Sequence, residues 1–252
     1  MKRGGKGPRP TTTGVLVVDK PVGPTSMDVV SLVRRRAGGA KTGHAGTLDP
    51  LASGVLVLAL GRATKAIDTI MATSKRYETV VNLSCFMTTD DLEGEPIETV
   101  IEREPSAAEI DAALADFRGD YWQEPPAHSA IKIGGQPAYK LARAGKAPKL
   151  EARRIVVHEL SVLRYDWPEV ALDVWCEKGL YVRRLARDLG EALGTGGHCT
   201  AIRRTAVGPF DLAEAIGMND VPEPLTEDDL IPVDEALRRV REAASDAGCT
   251  GI

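Results

Sequence analysis

A chain of 252 residues, 43% hydrophobic and 27% charged, has the composition of a soluble globular protein with room for one large core or two domains. Only 4% of the residues are aromatic, so the core must rest on Val, Leu, Ile and Ala. No apolar run approaches the roughly 20 residues of a membrane-spanning helix, and residues 1–10 are basic and glycine-rich without the apolar stretch of a signal peptide. The expectation is a cytoplasmic protein with no membrane partner.

The net charge of −4 is unevenly spread. Residues 211–252 hold 11 Asp and Glu against 3 Arg, a net of −8, which leaves residues 1–210 at +4. Local basic clusters at Arg34-Arg35-Arg36, Lys75-Arg76, Arg153-Arg154, Arg183-Arg184 and Arg203-Arg204 permit phosphate contact without proving it. Cys85, Cys176, Cys199 and Cys249 form no CxxC pair, and His44, His128, His158 and His198 have no metal-ligand spacing. Neither a metal nor a disulfide framework is expected.

In chain order, residues 14–18 form a short apolar strand that ends at Asp19-Lys20-Pro21. Thr25 or Ser26 can cap a helix to about Arg36, stopped by Gly38-Gly39. A glycine-punctuated loop over residues 41–50 leads to a second strand, 54–60. Residues 63–71 read as helical and 77–86 alternate as a strand. Ser106-Ala107-Ala108-Glu109 is a capping box that opens a helix to about Phe117. Pro125-Pro126 break the chain, and a short helix is expected over residues 137–144, closed by Gly145. Residues 155–163 and 170–176 read as paired strands, 181–193 as a helix, 194–197 as a loop and 200–207 as a strand. The acidic, proline-broken end offers one amphipathic helix over residues 233–244. Hairpin-like strand pairs without a βαβ rhythm point to an α+β fold.

Two segments could carry chemistry. In Gly43-His44-Ala45-Gly46-Thr47-Leu48-Asp49-Pro50, two glycines allow close backbone approach, and Asp49 lies among apolar side chains. Read from residues alone, this is an Asp-Pro turn at least as readily as a functional carboxylate. In Lys178-Gly179-Leu180-Tyr181-Val182-Arg183-Arg184-Leu185-Ala186-Arg187, Arg183 and Arg187 share a helical face at i and i+4, with Arg184 turned elsewhere. An arginine beside that buried stripe can pair an inward carboxylate, although ordinary surface arginines fit the same pattern.

Asp19-Lys20-Pro21, GHAGTLDPLASGVL (43–56), ATK (63–65), KRYE (75–78), SAIK (129–132), KGLYVRRLARDLG (178–190) and IRRTAVG (202–208) occur in order. Together, over roughly residues 13–215, they resemble the TruB-type tRNA pseudouridine synthases. The resemblance implies a pseudouridine synthase fold: a mixed, mainly antiparallel sheet flanked by helices, with an RNA-clasping insertion. It divides the chain into a flexible basic tail (1–12), a catalytic domain (13–217, insertion about 123–150) and a short acidic C-terminal segment (218–252) in place of a full PUA-like domain.

The resemblance also implies the reaction: isomerisation of the uridine at position 55 in the TΨC loop of tRNA, without a cofactor. Asp49 would be the essential carboxylate, Arg183 its ion-pair partner, and Tyr77 the residue stacked on the uracil. Ile202 would line the other wall of the pocket, and His44 would fill the space left by the extruded base. Lys20 and Tyr181 would support the site, and Lys65 and Lys132 would contact RNA. The expected partner is the T-arm stem-loop, bound by a monomer. Non-catalytic RNA binding has no need of a buried carboxylate facing anionic RNA. A hydrolase reading lacks a second candidate carboxylate or a Ser-His pairing. Guide-RNA-directed modification of ribosomal RNA would need extensions for partner proteins.

Overall fold

The computed structural model describes residues 12–126, 132–133, 136–137 and 150–249. The basic N-terminal tail, most of the expected insertion and its short helix lie outside the described residues. What is described divides into two compact units, Met1–Lys75 with Arg203–Ile252, and Arg76–Ile202.

In the first unit β1 (Gly14–Lys20) pairs antiparallel with β3 (Ala52–Leu60), in register from Gly14↔Leu60 to Lys20↔Gly54. Both strands are near-continuous apolar runs buried along most of their length, as their sequences require. Between them lie α1 (Ser26–Arg36) and β2 (Thr42–His44), a short strand against β3 inside the segment expected to be all loop. A 3₁₀ turn, Gly61–Ala66, runs into α2 (Ile67–Met71). Thr25, rather than Ser26, caps α1: its hydroxyl accepts from the Asp28 N–H and the Asp28 carboxylate accepts from the Thr25 N–H.

The second unit carries β4 (Lys75–Asn82) from Arg76 onward, which ends before the expected Phe86, and then a small hairpin of β5 (Phe86–Met87) and β6 (Pro96–Ile97). Helix α3 (Ala107–Ala115) opens at the Ser106–Glu109 capping box. Strand β7 (Gly119–Gln123) pairs antiparallel with β10 (Arg153–Asp166), which pairs in turn with β11 (Glu169–Cys176). Two-residue strands β8 (Lys132–Ile133) and β9 (Gln136–Pro137) pair with each other. Helix α4 (Val182–Leu193) buries Val182, Leu185, Ala186 and Leu189 and ends at Gly194 in the left-handed conformation, φ 67°. Strand β12 (His198–Val207) gives its first half to this unit and Arg203–Val207 to the other.

In the first unit the chain closes with β13 (Phe210–Asp211), β14 (Ile216–Gly217), which runs parallel to β1, and α5 (Val233–Cys249). Pairing is therefore mixed and mostly antiparallel, with helices alongside: the expected α+β class. The acidic end is integral to this unit. Val15 and Ile231 exchange two backbone hydrogen bonds of 2.8 Å. Ala236 and Val240 join the core of Val15, Val17, Val55, Val57 and Phe210. Residues 219–225 also engage Arg36, which donates to the Asn219 and Val221 carbonyls and pairs Glu223 at 3.6 Å. Arg36, one of the Arg34–Arg36 cluster, thus closes the end of α1.

Candidate active site

The loop bearing Asp49 is tied down residue by residue within the first unit. Because Thr25 takes over capping, the Ser26 hydroxyl is released to donate to the Leu48 carbonyl at 2.9 Å and accept the Leu48 N–H at 2.8 Å. Past the aspartate, the Asp49 carbonyl accepts from the Ala52 N–H at 3.0 Å, and Pro50 accepts from Gly23 at 2.8 Å. On the near side Arg204 of β12 donates from Nη2 to the Gly46 carbonyl at 3.1 Å and from Nη1 to the Thr47 carbonyl at 3.4 Å. Asp49 itself is half-buried.

Lys20 ends β1 fully buried, its ammonium donating to the Pro21 and Pro24 carbonyls at 2.8 Å each. Burial pushes that ammonium below the ordinary lysine range, the Asp49 carboxylate pulls it back up, and Arg204 lowers it further. Lys20, Asp49 and Arg204 therefore share one electrostatic neighbourhood. Burial first and then the Arg204 charge push the His44 imidazole, on β2, below its ordinary range, which favours its neutral form. Its buried Nδ1 has no hydrogen-bond partner among the described residues. Lys65 is exposed on the 3₁₀ turn, free of the loop's backbone bonds.

The second unit holds the other candidates. Tyr181 is the N-cap residue of α4, and its backbone is clasped by Gln123: the Tyr181 N–H donates to Oε1 at 2.8 Å and Nε2 donates to the Tyr181 carbonyl at 3.1 Å. Arg183 is buried two residues on. Its Nη1 donates to Asp91 Oδ2 at 3.0 Å and to the Thr89 carbonyl at 3.2 Å. Arg187, its i+4 neighbour, donates to Asp90 at 2.9 Å, while Arg184 pairs Asp188 at 2.7 Å. Burial raises the Asp90 and Asp188 carboxyls, and the facing arginines, with the Tyr121 hydroxyl at Asp188, pull them back. Tyr77 is half-buried on β4 and Ile202 is buried on β12. Lys132 opens β8, with nothing of its side chain described.

The structure thus brings Lys20, His44 and Asp49 together in one unit, and Tyr77, Tyr181, Arg183 and Ile202 within the other. The expected Asp49–Arg183 ion pair would join residues of different units. Sequence reasoning missed Asp90, Asp91 and Gln123. The run Thr88-Thr89-Asp90-Asp91 was the available signal, because adjacent acids in a short turn need cations if they are buried. No cluster able to hold a metal occurs among the described residues.

The family model for TruB family pseudouridylate synthase (N terminal domain) matches residues 34–182, and that for the tRNA pseudouridylate synthase B C-terminal domain matches residues 183–243. The tRNA pseudouridine synthase B of Thermobifida fusca is 44% identical over 236 residues, covering 89% of this chain and 78% of its own. That of Arthrobacter sp. strain FB24 is 44% identical over 240 residues, covering 93% of this chain and 78% of its own. A solved chain from a Cbf5-Nop10-Gar1 complex superposes with a TM-score of 0.71 at 28% identity. It is matched over 91% of this chain but only 63% of its own length, so this chain spans less than two thirds of it. With its motifs in order and both halves matched, the chain belongs to the TruB family of pseudouridylate synthases.

Proposed function

We propose that this protein is a tRNA pseudouridine synthase that isomerises the uridine at position 55 of the TΨC loop, with Asp49 as its essential carboxylate. Relatives of that name, 44% identical over most of the chain, support the activity on tRNA. The observation that carries the assignment of Asp49 is its setting: a half-buried carboxylate on a backbone held at every step, in the field of the buried Lys20 ammonium.

The reaction breaks the N1–C1′ bond, turns the uracil and joins C5 to C1′, with the C5 proton leaving and N1 taking up a proton. Reactant and product are isomers, so no electrons are exchanged with a cofactor. Asp49 acts toward the sugar as nucleophile or base. Arg183, itself held by Asp91, is the ion-pair partner of the Asp49 carboxylate in this reading. Tyr77 stacks on the uracil and Ile202 closes the opposite wall. The target must be extruded from its folded loop, and the neutral His44 contacts the displaced nucleotide or fills the gap. Tyr181 and Lys20 support the site, while Lys65 and Lys132 meet phosphate. Recognition rests on stem-loop shape, because the RNA major groove is too narrow for side chains to read.

The test is incubation with unmodified tRNA and with an isolated T-arm stem-loop, mapping pseudouridine at nucleotide resolution. Product at position 55 in both RNAs is expected, with Asp49→Asn abolishing it while RNA affinity stays within a few fold. Product elsewhere only, or Asp49→Asn turnover above roughly 1% of the parent, overturns the reading, since losing an essential group costs several powers of ten.

A further inference from the structure

We propose that Arg204 is a positioning residue for the reaction, fixing the path of the Asp49 loop through the backbone rather than touching substrate. The inference rests on the reading of Asp49 as the essential carboxylate. At 2% exposure, Arg204 is among the largest fully buried side chains of the protein. A guanidinium taken out of water costs several kcal/mol unless its donors are satisfied, so a buried arginine must be matched to its acceptors. Those described here are backbone carbonyls of one short stretch: Nε donates to Val55 at 2.8 Å, Nη2 to Gly46 at 3.1 Å and Nη1 to Thr47 at 3.4 Å. The planar fork therefore bridges the loop immediately before Asp49 to the strand immediately after it.

Gly54 gives the Arg204 backbone room, and Gly46 gives the loop its left-handed turn beside the guanidinium. Gly54 has φ 101°, and a Cβ there would stand 2.1 Å from the Arg204 carbonyl oxygen, so only glycine lets β12 approach. Gly46 has φ 113°, and a Cβ there would lie 3.5 Å from Arg204 Nη1. Ser26 completes the device by gripping both polar backbone groups of Leu48. The residues on the N-terminal side of Asp49 thus have their carbonyls taken in sequence, Gly46 and Thr47 by Arg204 and Leu48 by Ser26. A lysine at position 204 would keep the charge but present a single ammonium in place of a fork spanning three carbonyls. Because a misplacement of about 1 Å can cost roughly 100-fold in rate, loosening this clamp acts on the chemical step first.

The experiment measures single-turnover rate constants and RNA dissociation constants for Arg204→Lys, Ser26→Ala and a control, Val240→Ala, which weakens the same unit's core away from the loop. Expected are rates about 30-fold or more below the parent for Arg204→Lys and at least about fivefold below for Ser26→Ala. Dissociation constants should stay within about threefold, with the double variant slower than the parent by clearly less than the product of the two effects. The control, compared at equal fraction folded, should keep the parent's rate. Arg204→Lys turning over like Val240→Ala would overturn the proposal, as would a loss confined to RNA affinity. If Arg204→Lys fails to fold, Ser26→Ala alone decides, because a parental single-turnover rate in that variant removes the clamp. An active Asp49→Asn would instead defeat the underlying reading while leaving these rates interpretable.

Discussion

Asp91 accepts a hydrogen bond of 3.0 Å from Nη1 of Arg183, and both side chains are nearly sealed from water, at 2% and 10% exposure. Asp91 is itself fixed, accepting from the Thr89 hydroxyl at 2.5 Å and the Glu93 N–H at 3.0 Å. The expected charge on α4 therefore comes with a carboxylate that aims it. Removing one partner of a buried pair typically costs about 3–5 kcal/mol, because the other charge is left uncompensated. Asp91→Ala is expected to lose stability of that order and to turn over tRNA at least about 100-fold more slowly at equal fraction folded. Urea unfolding and single-turnover assays check the two parts separately, and a parental rate would detach Asp91 from the site.

Lys20 supplies a pH test. Its folded-state pKa lies below the unfolded value of 10.5, chiefly through burial. The unfolded chain then binds the proton more tightly, so the parent gains stability as pH rises from the lowered folded value to 10.5. Lys20→Met cannot titrate there. The stability difference between the two should move in the parent's favour from pH 7 to pH 9.5, read by urea unfolding at each pH. A difference that does not change would mean that the ammonium is as well solvated in the fold as outside it.

Removal of residues 221–252 would take part of the core out of the first unit. Leu230 is buried, Ile231 pairs with Val15 and Val240 lies in the core. Leu230→Ala is expected to cost about 2–5 kcal/mol, within the usual range for a buried leucine. A change in urea midpoint corresponding to less than about 0.5 kcal/mol would show that this segment does not support the first unit.

Gly190 lies in α4 where a Cβ would stand 2.2 Å from the Gly196 carbonyl oxygen. Backbone has to move to admit any side chain. Gly190→Ala, which raises helix propensity, should nevertheless destabilise by about 1–3 kcal/mol. A neutral or stabilising effect in thermal unfolding would mean that the helix and the 194–197 loop can separate freely.

The motif order, the α+β class, the capping box at Ser106, a cap at Thr25 or Ser26 and the helical register of Arg183 and Arg187 were legible in the chain itself. These are local properties: spacing, turn chemistry and side-chain type decide them within a few residues. Asp49 shows where local reading stops, since an Asp-Pro turn and a functional carboxylate have the same sequence until the surrounding contacts are known. Tertiary structure decided that Ser26 grips Leu48, that Asp91 aims Arg183, that Gln123 holds Tyr181 and that Arg204 spans 46–55. It also turned an acidic, proline-broken end into part of a core. Each of these joins residues between 22 and 216 positions apart, and such pairings leave no periodicity for a sequence to display. They exist because burying Arg183, Arg204 and the ends of β1 removes water from polar groups, which then take whichever partners the fold delivers.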